Sequence, residues 1–170
     1  MKLKTREIAI FAMLGAIMFV SKVIMEGLPN VHLLGTFVIA FTLTYRVKAL
    51  FPIYCYVFAN GLWEGFRPFD WLPETYVWLI LWGVTMLLPQ NMPRRVAPIL
   101  YMLISALHTL LFDVFYIPAY VLFAGIPWNR IGLTLLSGLM FNIIPTIGNF
   151  TIGILIVPIS TLLRKLEKKI

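Results

Sequence analysis

Long apolar runs alternate with short polar turns along the whole chain. A helix needs roughly 20 apolar residues to cross a bilayer, fewer where flanking residues snorkel or the bilayer thins. Six stretches fit, at about 7–25, 31–44, 49–63, 75–88, 96–121 and 131–163. The first ends at Gly27, Leu28, Pro29 and Asn30, a turn signal. The third carries Pro52 near its start and the fifth Pro118 near its far end. The last stretch is too long for one straight crossing at about 1.5 Å per residue. Pro145 and Gly148 predict a break in it near 145. The pattern predicts an all-α integral membrane protein, with a single transmembrane domain over 1–170 built as a six-transmembrane-helix bundle.

Composition points the same way. Hydrophobic residues make up 61% of the chain and charged residues 12%, against about 45–50% and about 25% in soluble domains. A water-soluble fold is excluded on that balance. The opening apolar segment after Lys2, Lys4 and Arg6 imitates a signal peptide, but equally apolar segments follow it, so it reads as a retained first membrane helix. The single cysteine, Cys55, carries no information about redox compartment.

A net charge of +7 would point to nucleic acid in a soluble chain. Here the basic residues cluster between apolar runs. Alternating six spans places Lys2, Lys4, Arg6, Arg46, Lys48, Arg94, Arg95, Arg164, Lys165, Lys168 and Lys169 on one side, and only Lys22, Arg67 and Arg130 on the other. By the positive-inside rule the first side is cytoplasmic. The expectation is a multi-pass protein of the bacterial plasma membrane, both termini cytoplasmic (N-in/C-in), with the lipid bilayer as its solvent and no nucleic-acid partner. The outer side then holds Glu26, Glu64, Asp70 and Glu74.

Catalytic chemistry is not in evidence. The chain lacks a His-Glu-x-x-His helix, paired intramembrane aspartates, a nucleophile elbow and a glycine-rich phosphate loop. No enzyme activity, cofactor or metal is expected. His108 and Asp113 stand about 140° apart around a helix, no clean face for a metal. Any energy for uptake would come from a partner or an ion gradient.

Some residues point to ligand binding instead. An ionisable group at membrane depth faces a cavity or a partner, so Asp113, with Tyr116 and Tyr120 on a similar face, reads either as a pocket wall or as a local cap near the interface. Asn142 and Asn149, seven apart on one face, read either as ligand contacts or as interhelical glue. The outer side is rich in aromatics, among them Trp63, Phe66, Phe69, Trp71, Tyr76, Trp78 and Trp128. About half of these fit an interfacial belt. Segment 64–74 also mixes Phe69 and Trp71 with Arg67, Asp70 and two prolines, a composition suited to a semi-rigid lid over an amphipathic ligand. The first outer turn adds Asn30 and His32, the latter equally a plain loop residue.

Ala12 and Ala16 form a small-x-x-x-small pair, which lets another helix approach closely, within the chain or from outside it. The segment 5–16 that carries them resembles the first helix of the substrate-binding S components of energy-coupling factor (ECF) transporters. Segments 28–35 and 48–54 and the Gly148, Asn149, Phe150 triplet are similar to that family too, and the likeness in length, span count and topology extends over essentially the whole chain. The resemblance implies a six-helix bundle with an outward-facing cavity, lined by the outer halves of the later helices and lidded by the loops after the first and third spans. It implies that Ala12 and Ala16 dock on an ECF transmembrane scaffold subunit coupled to two cytoplasmic ATPases, and that the whole S component topples during transport. The substrate would be a vitamin: cobalamin first, because recognition can rest on shape and scattered polar contacts, then pantothenate with Arg67 or Arg130 on its carboxylate. The stretch Met140, Phe141, Asn142 is less polar than the family leads one to expect. Rival readings are a six-span scaffold of the cell-shape type with no ligand, an intramembrane enzyme, and an autonomous secondary transporter, which would show internal repeats.

Overall fold

The computed structural model describes residues 3–27, 31–89 and 92–167. Among them the chain is all-helical, without a strand. In chain order the helices are α1 (Thr5–Ile24), α2 (Leu34–Tyr45), α3 (Leu50–Glu64), α4 (Pro68–Met86), α5 (Ala97–Leu110), α6 (Phe112–Phe115), α7 (Ile117–Leu122), α8 (Trp128–Ile152) and α9 (Ile156–Glu167). Three helical runs are long and apolar enough to cross a membrane: Thr5–Ile24, Leu34–Glu64 and Trp128–Glu167. Helix α5 is apolar but shorter.

Helix α2 is the hub. Its residues are apolar or Thr all round apart from Gly35 and Tyr45, the signature of a helix enclosed by neighbours. Leu34, Val38, Ile39 and Phe41 are buried, packed with Met18 of α1, Ile53 and Tyr56 of α3, Leu81 of α4 and Ile156 of α9. Thr42 and Thr85 satisfy their hydroxyls by donating to backbone carbonyls four residues back, Val38 O and Leu81 O. In contrast, α1 and α8 leave rows of large apolar residues uncovered, Met13 and Ile17 on one, Met140 and Ile144 on the other.

Two ends of the bundle are pinned by different chemistry. At the basic end, Lys48 pairs with Glu7, the Arg46 guanidinium donates to Met86 O at 2.9 Å, and that of Arg164 donates to Leu43 O at 2.8 Å. At the acidic end, Lys22 near the close of α1 pairs with Glu64 at the close of α3. Gly65, in the left-handed region at φ 83°, ends α3 there.

Several element boundaries differ from the sequence expectation. Helix α4 starts at Pro68, not near 75, so most of the expected lid is helix. Proline is tolerated at a first helical position, where no N–H is needed. Tight packing holds this turn down: Trp71 Nε1 donates to Val57 O at 2.9 Å, and its ring meets Phe66 edge-on at 5.0 Å. The stretch expected as one span over 96–121 is three helices, turning at Leu111 and Tyr116. Pro118 cannot donate to the carbonyl of residue 114, and it disfavours helical geometry at the residue before it. In the last stretch the helix runs unbroken through Pro145 and Gly148. The irregularity falls instead at a 3₁₀ turn over Gly153–Leu155. Gly153 lies against α5 so closely that a Cβ would stand 3.0 Å from Met102 Cα. Pro158 also denies the carbonyl of Ile154 its helical donor. The second span starts at Leu34, not near 31, and His32 stands in non-helical chain before it, as its reading as a residue of the first outer turn expects.

Candidate functional site

Five helices converge at the acidic end: α1 and α3 end there, α2 and α4 begin there, and the short α6 closes one side. A cleft of about 370 Å³ opens between them, lined by Lys22, Glu26, His32, Glu64, Asp70, Glu74, Trp78, Phe112 and Tyr116 together with Leu34 and Tyr56. Below it lies a smaller cavity of about 50 Å³. Gly35, His108, Thr109, Asn142 and Asn149 line this one, and His32, Trp78 and Phe112 border both.

The walls are aromatic. Phe112 and Tyr116 stack at 4.9 Å, Trp78 lies 5.7 Å from the His108 ring, and Tyr56 meets Trp78 edge-on at 6.2 Å. Gly35 lets α2 approach α5 closely beside the small cavity: a Cβ there would stand 3.1 Å from Ser105 Oγ.

Polar groups in the wall fall into two sets. One set is satisfied within the chain. The His32 backbone N–H donates to Asn149 Oδ1 at 3.2 Å, and Asn149 Nδ2 donates to Thr109 Oγ1 at 2.9 Å. The Tyr56 hydroxyl and Asn60 Nδ2 donate to the Glu74 carboxylate at 3.2 and 3.0 Å. The second set has no partner. Trp78 Nε1, His108 Nε2 and His32 Nδ1 are buried atoms without a hydrogen bond, and all three side chains line the small cavity. An orphaned buried polar atom costs about 1–3 kcal/mol, so three around one hollow mark a place where something polar is to be received. Burial, with the charge of Lys22 second, holds the His32 imidazole below its ordinary pKa.

Six of the twelve residues expected to bind substrate stand at these walls or hold them: His32, Trp78, Tyr116, Asn142 and Asn149 line them, and Tyr76 donates to Phe115 O at 2.8 Å, fixing α4 on α6. Asp113 does not line the cleft. Tyr120 O–H donates to its Oδ1 and Asn142 Nδ2 donates to its Oδ2 at 2.6 Å, so it clasps α6, α7 and α8 together. Phe69 packs on Tyr116 and Tyr120 behind the wall. Trp71 is packed against α3, not poised as a lid. Arg67 is exposed and paired with Asp70 at 3.1 Å, and Arg130 is exposed on α8; neither lines the cleft. Asn30 lies outside the described residues. Ala12 and Ala16 are both exposed, and the small residue that α1 uses inside the chain is Gly15.

Sequence reasoning missed His108, Phe112 and Glu74 as wall residues. Spacing tests His108 only against Asp113, whereas its ring neighbours are Trp78 of α4 and Phe112 and Phe115 of α6. Lys22, inside the apolar run 7–25, is a usable signal, since an ionisable group there requires a partner. Comparison with known proteins finds no match, whether to a family model, a curated sequence or a solved structure.

Proposed function

We propose that the chain is the substrate-capture (S) subunit of an ECF-type ABC importer for a vitamin or related micronutrient. The observation that carries this reading is the aromatic cleft at one end of the bundle, with unpartnered Trp78, His108 and His32 nitrogens at its base. Small-molecule sites are concave, mostly apolar and oriented by a few polar groups, and this cleft has that make-up. A ligand-free scaffold would have no use for orphaned buried nitrogens, whose cost a ligand offsets. In this reading the helices make six crossings with both termini cytoplasmic, in keeping with the eleven-to-three distribution of Lys and Arg. The cleft then faces outward.

Capture alone does not move a substrate uphill. The chain has no nucleotide-binding motif, so the proposal includes a membrane scaffold subunit and two cytoplasmic ATPases. Exposed Ala12 and Ala16 on α1 support a docking face, because small residues unused inside the chain allow a foreign helix to approach closely. A cleft of about 370 Å³ sits at the lower end of small-molecule sites. It favours a compact ligand over one as large as cobalamin. For pantothenate, the two arginines that would hold its carboxylate stand outside the cleft.

The test is a thermal-shift screen of the purified chain in detergent against water-soluble vitamins. A tight binder raises the melting midpoint by mass action. A single strong hit, lost on replacing Trp78, supports capture. A folded chain that answers to none of the panel refutes it.

A further inference from the structure

The cleft's polar groups specify a ligand charge and shape. We infer, resting on the capture reading above, that the ligand is a compact organic cation carrying a flat heteroaromatic ring with hydrogen-bonding ring atoms.

The charge follows from which ionic groups are already engaged. Among the described residues Lys22 is the one Lys or Arg in the wall of the larger cleft, and it is held between Glu64 and Glu26. Arg67, beside the rim, is held by Asp70. Two acid–base pairs therefore cancel, Lys22 with Glu64 and Arg67 with Asp70. Glu74 is left over. It is half-buried, it takes hydrogen bonds from Tyr56 and Asn60, and among the described residues no Lys, Arg or His forms an ion pair with it. Glu26, largely exposed, adds a further carboxylate at the mouth. An anionic ligand would meet four carboxylates with no unoccupied cation to receive it. A cation would meet the carboxylate of Glu74 and the ring faces of Trp78, Phe112 and Tyr116 beside it, which attract positive charge through their quadrupoles.

The ring fits the aromatic wall of the larger cleft, and its hydrogen-bonding atoms follow from the deeper cavity. At about 50 Å³ that cavity is too small for a ring, and the Trp78, His108 and Phe112 rings around it touch one another at 5.7 and 6.5 Å, so it receives only a polar group at the edge of a ligand held above it. Trp78 is 5% exposed and His108 7% exposed, and both have an unpartnered nitrogen. Indole N–H only donates, so the ligand must offer an acceptor there. A neutral imidazole nitrogen either donates or accepts, according to its tautomer. His108 Nε2 and His32 Nδ1 can therefore complement both a ring nitrogen and an exocyclic amino group. A metal ion answers neither demand: among the described residues no three His, Cys, Asp or Glu side chains are grouped to hold one, and an indole N–H offers a metal no lone pair.

The experiment compares ligands that differ in charge, three of them on the same pyridine ring. The full chain in lipid nanodiscs is titrated with 1-methylnicotinamide, nicotinamide and nicotinate (cation, neutral, anion), and with thiamin against biotin as a larger pair. The expected result is that each cation binds roughly tenfold or more tighter than its neutral or anionic counterpart, the scale of one desolvated cation–π contact. Glu74→Gln should remove that preference, read as the ratio of 1-methylnicotinamide to nicotinamide affinity falling to near one. Phe112→Leu, which keeps the site apolar and leaves the Glu74 hydrogen bonds alone, should weaken the cations selectively and covers the case in which the Glu74 variant does not fold. Equal or tighter binding of nicotinate or biotin overturns the charge assignment and leaves capture standing. Failure of all five, together with failure of the wider vitamin screen, overturns both.

Discussion

Replacing Gly138 by alanine sets two opposing effects against each other. In an exposed helix interior the change stabilises by about 1 kcal/mol. Here the new Cβ would stand 2.6 Å from Asp113 Cγ, and nearer still to Oδ2, with Asp113 Cβ at 3.3 Å. The carboxyl group cannot swing away freely, because Tyr120 and Asn142 both donate to it. Either α8 moves off α6, a strain of about 1–3 kcal/mol, or the Asn142 bond breaks and leaves a buried amide unpaired at about 1–3 kcal/mol. The net expectation is a loss of about 2 kcal/mol. At roughly 2–4 °C per kcal/mol for a chain of this size, the melting midpoint falls by about 4–8 °C. The decisive assay is a double-mutant cycle. In an Asp113→Ala background the carboxyl group is gone and only the Cβ approach at 3.3 Å remains, so most of the loss caused by Gly138→Ala should disappear. A fall of the same size in both backgrounds would refute the clasp.

Other consequences are open to test. Trp78→Phe keeps an aromatic face and removes the five-membered ring with its unpartnered nitrogen, so ligand affinity should drop by about five- to tenfold, near 1–1.4 kcal/mol, while the ligand-free midpoint changes little because relief of the orphaned N–H offsets the small cavity left behind; isothermal titration and a melting scan read the two effects separately. Because the folded chain holds the His32 pKa down, the unfolded chain binds the proton more readily. The His32 contribution to stability is therefore intact above about pH 6.5 and is lost as pH falls below it; a midpoint-versus-pH series should show this step in the wild type and lack it in His32→Gln. Ala12→Leu combined with Ala16→Leu should abolish uptake in cells while binding by the isolated chain stays normal; normal uptake would remove the docking role from that face. Gly15→Ala should destabilise by about 1–3 kcal/mol in a thermal scan, because its Cβ would meet Cys55 Cβ at 2.6 Å and Pro52 O at 3.0 Å, neither of which can retreat without backbone movement.

The sequence was most informative where a pattern is local. Apolar runs foretold helices, and the seven-residue spacing of Asn142 and Asn149 put both on one face, which is how they come to line one cavity. Asp113 and Tyr120, also seven apart, do meet. Local reasoning failed where proline has two meanings. Pro68 read as loop but starts a helix, and Pro145 read as a break but is carried inside one. In each case tertiary contacts decide, Trp71 on Val57 for the first and the close approach of Gly153 to Met102, which moves the irregularity away, for the second. The site was half legible for the same reason. His32, Trp78 and His108 come from three segments with no shared spacing, and only the packing of α2, α4 and α5 turns them into one wall.

Helix α1 meets α3 and the turn that leads into it at three levels: Glu7 with Lys48 of that turn at one end, Gly15 against Pro52 and Cys55 in the middle, and Lys22 with Glu64 at the other. Sliding α1 along α3 by a single turn, about 5.4 Å, would break both end links at once and drive a bulkier side chain into the space that only Gly15 fits. Axial movement of α1 against α3 therefore costs all three contacts. A displacement of α1 together with α3 carries Glu64, in the wall of the cleft, along with it.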